Sequence, residues 1–255
     1  FLAAGAGSEM KPGDWSPLLG IEQHMTNRGL RATELLSADA SITPDELHMI
    51  KMDMRYSDKS WEAEWVRSIL ASNLKDKPEL AKAQNLLASW DFTSDGRGAA
   101  DALAERVIRV AAVQRFKGAA MPTPQAGLQE AAEDMLARFG RLDPPLTEIQ
   151  RLRRGKLDLP MLGGHDTLRA TSIWDKDQPD KKARVRHGDS FIMAIRWDRA
   201  GRVISESIQP YGAATNRPNS PHYTDQMPLF VAGKYKPVHF EWADAVKHAK
   251  RRYRP

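Results

Sequence analysis

Ser190-Phe191-Ile192-Met193-Ala194-Ile195-Arg196-Trp197 runs into Asp198-Arg199-Ala200-Gly201 and then Arg202-Val203-Ile204-Ser205-Glu206-Ser207-Ile208. The flanks alternate with a period of two, and the Asp-Arg-Ala-Gly segment supplies turn residues. The stretch therefore predicts a β-hairpin. From about 28 to 155 the chain carries the helical period instead. Helices, then a hairpin, then a C-terminal helix make an α+β chain.

Upstream, Thr43-Pro44-Asp45-Glu46 has the form of a capping box with Pro at the first helical position. Leu47, Ile50 and Met54 are its expected apolar stripe, and Trp61, Trp65 and Ile69 form the next. Pro78 opens a helix with Leu80, Ala83, Leu87 and Trp90 on one face, broken by Asp91 to Gly98. A long helix with Leu103, Val107, Val110 and Ala111 inward ends near Gly118. Another runs from about Gln125 to Phe139 and is stopped by Gly140, and a short one spans about Leu146 to Arg153.

Three segments follow: a loop-rich opening at 1–27, a helical region at 28–155, and a connector, hairpin and C-terminal helix at 156–255. Residues 156–188, rich in Gly, Pro and charge, are expected to be an extended, partly ordered connector. After the hairpin, Ser220 is a good N-cap, Pro221 suits the first helical position, Gly233 suits a left-handed cap, and Pro237 forbids continuation.

The 255 residues can bury a sizeable core, and 41% hydrophobic with 28% charged residues is ordinary for a soluble globular chain. No apolar run is long enough to span a bilayer, so no membrane partner is expected. The absence of cysteine excludes disulfides, thiolate catalysis and cysteine-ligated zinc. Phe1-Leu2-Ala3-Ala4-Gly5 has neither an initiator Met nor a signal-peptide pattern, so a processed or truncated product is expected. The net charge of +5 gathers partly in Lys181 to Arg186 and Lys247 to Arg254. These runs read as solvated basic ends or as a nucleic-acid patch, but neither carries a nucleic-acid motif. No nucleic-acid partner is expected.

Several residue groups could carry chemistry. Gly163-Gly164-His165-Asp166-Thr167 is a structural turn or a His–Asp dyad, and it lacks phosphate-loop spacing. Asp53, near an apolar helix face, is a hydrogen-bonded structural carboxylate or a perturbed acid or base. Arg28 and Arg31 share a helix face and could hold a carboxylate by paired hydrogen bonds, or form a surface ion pair with Glu34. Asp14, in Pro12-Gly13-Asp14-Trp15, could ligate a hard cation such as calcium. Ser8 has no evident base partner, and from the residues alone no catalytic set is complete.

Taken in order, these segments resemble the penicillin acylase family of N-terminal-nucleophile hydrolases. The resemblance rests on Arg28-x-x-Arg31-x-x-x-Leu35-Leu36, on Thr43-Pro44-Asp45-Glu46-Leu47 with Lys51-Met52-Asp53, and on Leu86-Leu87-Ala88-Ser89-Trp90-Asp91. It continues through Gly163 to Thr167 and the hairpin, and is strongest in Ser220 to Pro237. It implies the αββα sandwich of that class, an exported, self-cleaving precursor, and a periplasmic or secreted location. It implies amide hydrolysis of N-acylated small molecules, namely β-lactams, acyl-homoserine lactones or lipopeptides. The N-terminal Ser of the large subunit attacks and its α-amine serves as base.

That Ser and the family's oxyanion Asn would lie before Phe1. The chain would then be the C-terminal part of the large (β) subunit, silent alone, with the rest of that subunit and the small (α) subunit as partners. Arg28 matches the family's supporting active-site Arg. Asp14 would match its calcium Asp only with a gap. Catalysis would need no cofactor, and the resemblance implies a structural calcium ion. A non-catalytic homologue or a basic binding or scaffold module is the competing reading.

Overall fold

The computed structural model describes residues 25–174 and 179–249. The chain divides into two compact units, one of Phe1–Leu152 with Pro160–Gly188 and the other of Arg153–Leu159 with Asp189–Pro255. Helices and sheets are both present, so the chain is α+β. Among the described residues no helix is long and apolar enough to cross a membrane.

The first unit is built on α1 (Asn27–Ser37), α2 (Pro44–Lys51), α3 (Trp61–Leu70), α4 (Pro78–Leu87), α5 (Asp101–Phe116), α6 (Pro124–Phe139) and α7 (Leu146–Ile149). The helix starts follow capping chemistry. Thr26, Thr43, Ser60 and Thr123 each accept a first-turn backbone N–H, and Thr43 with Glu46 completes the predicted capping box. Gly140 ends α6 in the left-handed conformation at φ 69°.

Helix α5 is the core element. Its Leu103, Val107, Ile108 and Ala111 are fully buried against Val66 and Ile69 of α3, Ala83 and Leu87 of α4, and Leu128 and Ala131 of α6. Truncating a Leu in such a core costs about 2–5 kcal/mol. The packing is close enough that a Cβ on Gly127 would stand 2.5 Å from the Trp65 ring. The Trp65 indole N–H finds the Val107 carbonyl at 3.1 Å. Gln84 caps the end of α3, its amide donating to the carbonyls of Ile69, Leu70 and Ser72.

Helix α2 departs from expectation. None of its residues is buried and Leu47 is 51% exposed. It is held by its caps and by Lys51, whose Nζ reaches the Leu168 carbonyl at 2.5 Å. The short helix predicted to Arg153 is one turn. At Gln150 the backbone becomes extended and begins β1 (Gln150–Arg154). Tertiary pairing decides this: the buried Gln150 amide donates to the carbonyls of Met161 and Gly163, and β1 pairs parallel with β4 (Ala183–Gly188).

The ordered part of the 156–188 connector includes sheet, namely β2 (Leu157–Pro160), β3 (Thr171–Trp174) and β4. β4 alternates buried Ala183 and Val185 with more exposed arginines, a strand pattern hidden by the charge density. β3 runs antiparallel to β4.

The second unit contains the predicted hairpin, β5 (Ile192–Trp197) and β6 (Val203–Ile208), in the register Trp197↔Val203 to Ile192↔Ile208. β7 (Lys236–Val238) adds antiparallel to β6 and takes in Pro237 at the sheet edge. The helix predicted from Ser220 is replaced by turns, with only α8 (Met227–Val231) helical; α9 (Trp242–His248) follows β7. The reason lies in where the N–H groups go. That of Tyr223 closes a turn to the Ser220 carbonyl, and that of Gln226 crosses to Tyr211 at 2.8 Å. Gln226 is an anchor: it is buried, and its side chain accepts from the Gln209 N–H. Arg154 lies between the Tyr211 and Tyr223 rings, 4.6 and 4.5 Å from their centroids.

Candidate functional site

The sequence separated Arg28 from the Gly163–Thr167 turn by well over a hundred residues, and the fold joins them. Arg28 Nε donates to Asp166 Oδ1 at 2.6 Å. The Asn27 backbone N–H takes Asp166 Oδ2 at 2.7 Å, and its side-chain amide donates to the Asp166 carbonyl at 2.9 Å. Asn27 in turn accepts from the Ser57 N–H at 2.7 Å. The first turn of α1 is thereby fixed to the 163–171 loop.

The same loop is tied down elsewhere. The Arg169 N–H reaches the Asp53 carbonyl at 2.8 Å, and the Gly163 N–H reaches the Ser94 carbonyl at 3.0 Å. Gly163 sits at φ 104°, where an added Cβ would meet the Arg169 carbonyl oxygen at 2.2 Å, so glycine is required.

The two arginines have different roles. Arg31 spends its guanidinium internally, with Nε and Nη2 on Asp53 at 3.1 and 2.9 Å and Nη1 on Glu34 at 2.8 Å. Burial opposes its charge, but these carboxylates hold its pKa above the ordinary value. The predicted pairing with Glu34 is therefore present, and Asp53 is a structural ion-pair partner. Arg28 commits only Nε, and its side chain remains 40% exposed. Among the described residues its two terminal nitrogens have no hydrogen-bond partner, so the planar donor edge is available to an acceptor from outside.

Asp166 is oriented by Arg28 and Asn27, and no hydrogen bond joins it to His165. The His–Asp dyad does not form. The His165 backbone N–H instead donates to the Tyr56 hydroxyl at 3.0 Å.

Beneath the clamp lies a buried acidic group that sequence reasoning missed. Tyr56 donates to Glu105 Oε1 at 2.9 Å, and Ser94 donates to the same oxygen. The antiparallel Arg55↔Thr93 bridge puts Tyr56 and Ser94 on one face, diagonally across the bridged pair, and both hydroxyls reach the same carboxylate of α5. Burial pushes Glu105 up to about 7 against the pull of these hydroxyls. Glu62 of α3 is fully buried, with no hydrogen-bond partner for either oxygen in ordinary geometry. Burial, reinforced by the Asp166 charge, raises it to about 8, so it is a neutral acid at pH 7. A signal did exist. Glu62 precedes the fully buried Val66 and Ile69 by four and seven residues, and Glu105 lies three residues from buried Ala102 and Ile108.

Asp14 and Ser8 lie outside the described residues, as does most of the 1–27 opening segment.

The penicillin amidase family model matches residues 4–247. The chain belongs to the penicillin amidase family. Similar solved structures include a thermostable penicillin G acylase from Alcaligenes faecalis, at 13% sequence identity and a TM-score of 0.43. The alignment covers 88% of this chain and 52% of that one, so this family member spans about half the length of that enzyme.

Proposed function

We propose that this chain is the C-terminal portion of the large subunit of a penicillin-acylase-type amidohydrolase acting on N-acylated small molecules: β-lactams, acyl-homoserine lactones or lipopeptides. The observation that carries the reading is the family match over residues 4–247. The Ser nucleophile and the oxyanion Asn belong to residues outside this chain. There the Ser oxygen attacks the acyl carbon, its own α-amine takes the proton, and the amine product leaves before water releases the acid. A periplasmic or secreted location and maturation by self-cleavage accompany this reading. No cofactor takes part in catalysis; a structural calcium ion near Asp14 is part of the proposal.

Arg28 is this chain's contribution to the site. Asp166 holds the guanidinium through Nε, leaving the two terminal nitrogens to meet a substrate carboxylate or carbonyl, or to orient the nucleophile's surroundings. The partners are the remainder of the large subunit and the small subunit. The hairpin is ready for them: Met193, Ile195, Trp197 and Val203 share one face by register, and all are at least 41% exposed. An apolar sheet face of this kind is what the other layers of an αββα sandwich would cover.

The test is a kinetic comparison of Arg28→Ala and Arg28→Lys in the full precursor. Both should process normally, with kcat/KM for acyl-homoserine lactone hydrolysis reduced about 10²-fold, the scale of a misplaced reacting group. Unchanged kcat/KM in Arg28→Ala would remove Arg28 from the site.

A further inference from the structure

The last described strand and helix bring three ligand-type side chains together, away from the Arg28 clamp. β7 ends at Val238 and delivers His239, while α9 carries Asp244 and His248 at i and i+4 on one face. The Asp244 carboxylate serves both rings. His239 Nδ1 meets Oδ2, and His248 Nδ1 lies 3.1 Å from Oδ1 and 2.9 Å from the Asp244 backbone carbonyl. The imidazoles stack at 4.2 Å between centroids with an interplanar angle of 8°. One ligand atom from each residue can be chosen so that all lie within 4.8 Å of one another, and no other such group of three occurs among the described residues.

We propose that His239, Asp244 and His248 bind a first-row transition-metal ion, with Zn²⁺ the natural occupant. Two imidazoles and one carboxylate are a donor set that zinc takes with water in the fourth position. Zinc–ligand bonds of about 2.0–2.2 Å place tetrahedral neighbours roughly 3.3 Å apart. The His248–Asp244 spacing of 3.1 Å is already near this. The ion would replace the protons that now bridge the rings to Asp244; because a bound zinc lies in the plane of each imidazole, the stacked rings must rotate out of the stack to share it. The side chains are 29%, 44% and 48% exposed for His239, Asp244 and His248, which leaves the ion a way in. Imidazole pairs do not suit calcium, which takes oxygen ligands. The site is therefore distinct in chemistry from any calcium site near Asp14.

The simpler alternative is a pair of His–Asp hydrogen bonds that fasten α9 with no ion. Calorimetric titration of the metal-free protein with ZnCl₂ separates the two. The proposal requires one Zn²⁺ per chain. His239→Ala, Asp244→Ala and His248→Ala should each weaken binding by more than the 10–100-fold typical of losing an outer-shell partner. His222→Ala, which breaks the separate His222–Asp225 pair, should bind as the wild type does. Co²⁺ gives a second readout: a tetrahedral site produces strong visible absorption, which His239→Ala should abolish. No saturable zinc binding, or binding indifferent to His239→Ala and His248→Ala, would overturn the proposal.

Discussion

Arg28 Nε and Asp166 Oδ1 meet at 2.6 Å although 138 residues separate them in the chain. The contact makes the Gly-Gly-His-Asp-Thr turn the backing plate of the arginine and leaves the outer edge of the guanidinium unspent.

The two halves of this contact differ in stability. Arg28 is 40% exposed, and the buried Asp166 keeps the Asn27 N–H when the guanidinium is removed, so Arg28→Ala should cost only about 1 kcal/mol. Asp166→Ala strands the buried Asn27 N–H as well, which costs about 1–3 kcal/mol. Urea denaturation of both variants measures the difference, and a larger loss in Arg28→Ala would contradict the assignment.

Glu62 should make stability fall as pH rises. Its pKa is about 8 in the fold against 4.5 for the free side chain, so between those values the folded state holds the extra proton. Unfolding releases it, and stability declines with pH across that window before levelling off above about 8. Glu62→Gln, neutral at every pH, should match the wild type near pH 4 and exceed it by a few kcal/mol at pH 9. Chemical denaturation at both pH values tests this; equal stabilities at pH 9 would show that Glu62 is ionised in the fold without penalty.

Gly164 closes over the buried hydroxyl–carboxylate group. A Cβ there would stand 2.2 Å from the Tyr56 hydroxyl and 2.4 Å from Glu105 Oε1. Gly164→Ala should destabilise by about 1–3 kcal/mol through overpacking and displacement of that hydrogen bond. A thermal melt unchanged from wild type would mean the loop yields freely.

Much of this was legible in local chemistry. The Thr43 capping box, the α4 and α5 stripes, the Gly140 stop and the 192–208 hairpin depend on near neighbours and appear where the sequence places them. What was hidden depends on distant partners. Gln150 looks helical until the Met161 and Gly163 carbonyls claim its amide. Ser220 looks like a helix cap until Tyr211 takes the Gln226 N–H. Arg28 and the 163–167 turn were both conspicuous, but nothing local paired Arg28 with Asp166.

The hairpin face yields a prediction about assembly. Trp197 is 65% exposed and Ile195 48%, so Ile195→Glu with Trp197→Glu should change the stability of this chain by less than about 0.5 kcal/mol. The same pair should abolish association with the remaining segments of the enzyme, read by co-purification of separately expressed pieces. Full association of the double variant would place the partner surface elsewhere.

Amide hydrolysis by the 255-residue chain, alone and within the complete processed enzyme, tests the central claim most directly. With an N-acyl-homoserine lactone as substrate and released fatty acid as the readout, the isolated chain should be silent and the complete enzyme active. Fatty acid released by the isolated chain would contradict the account, because the nucleophile would then lie among its own residues.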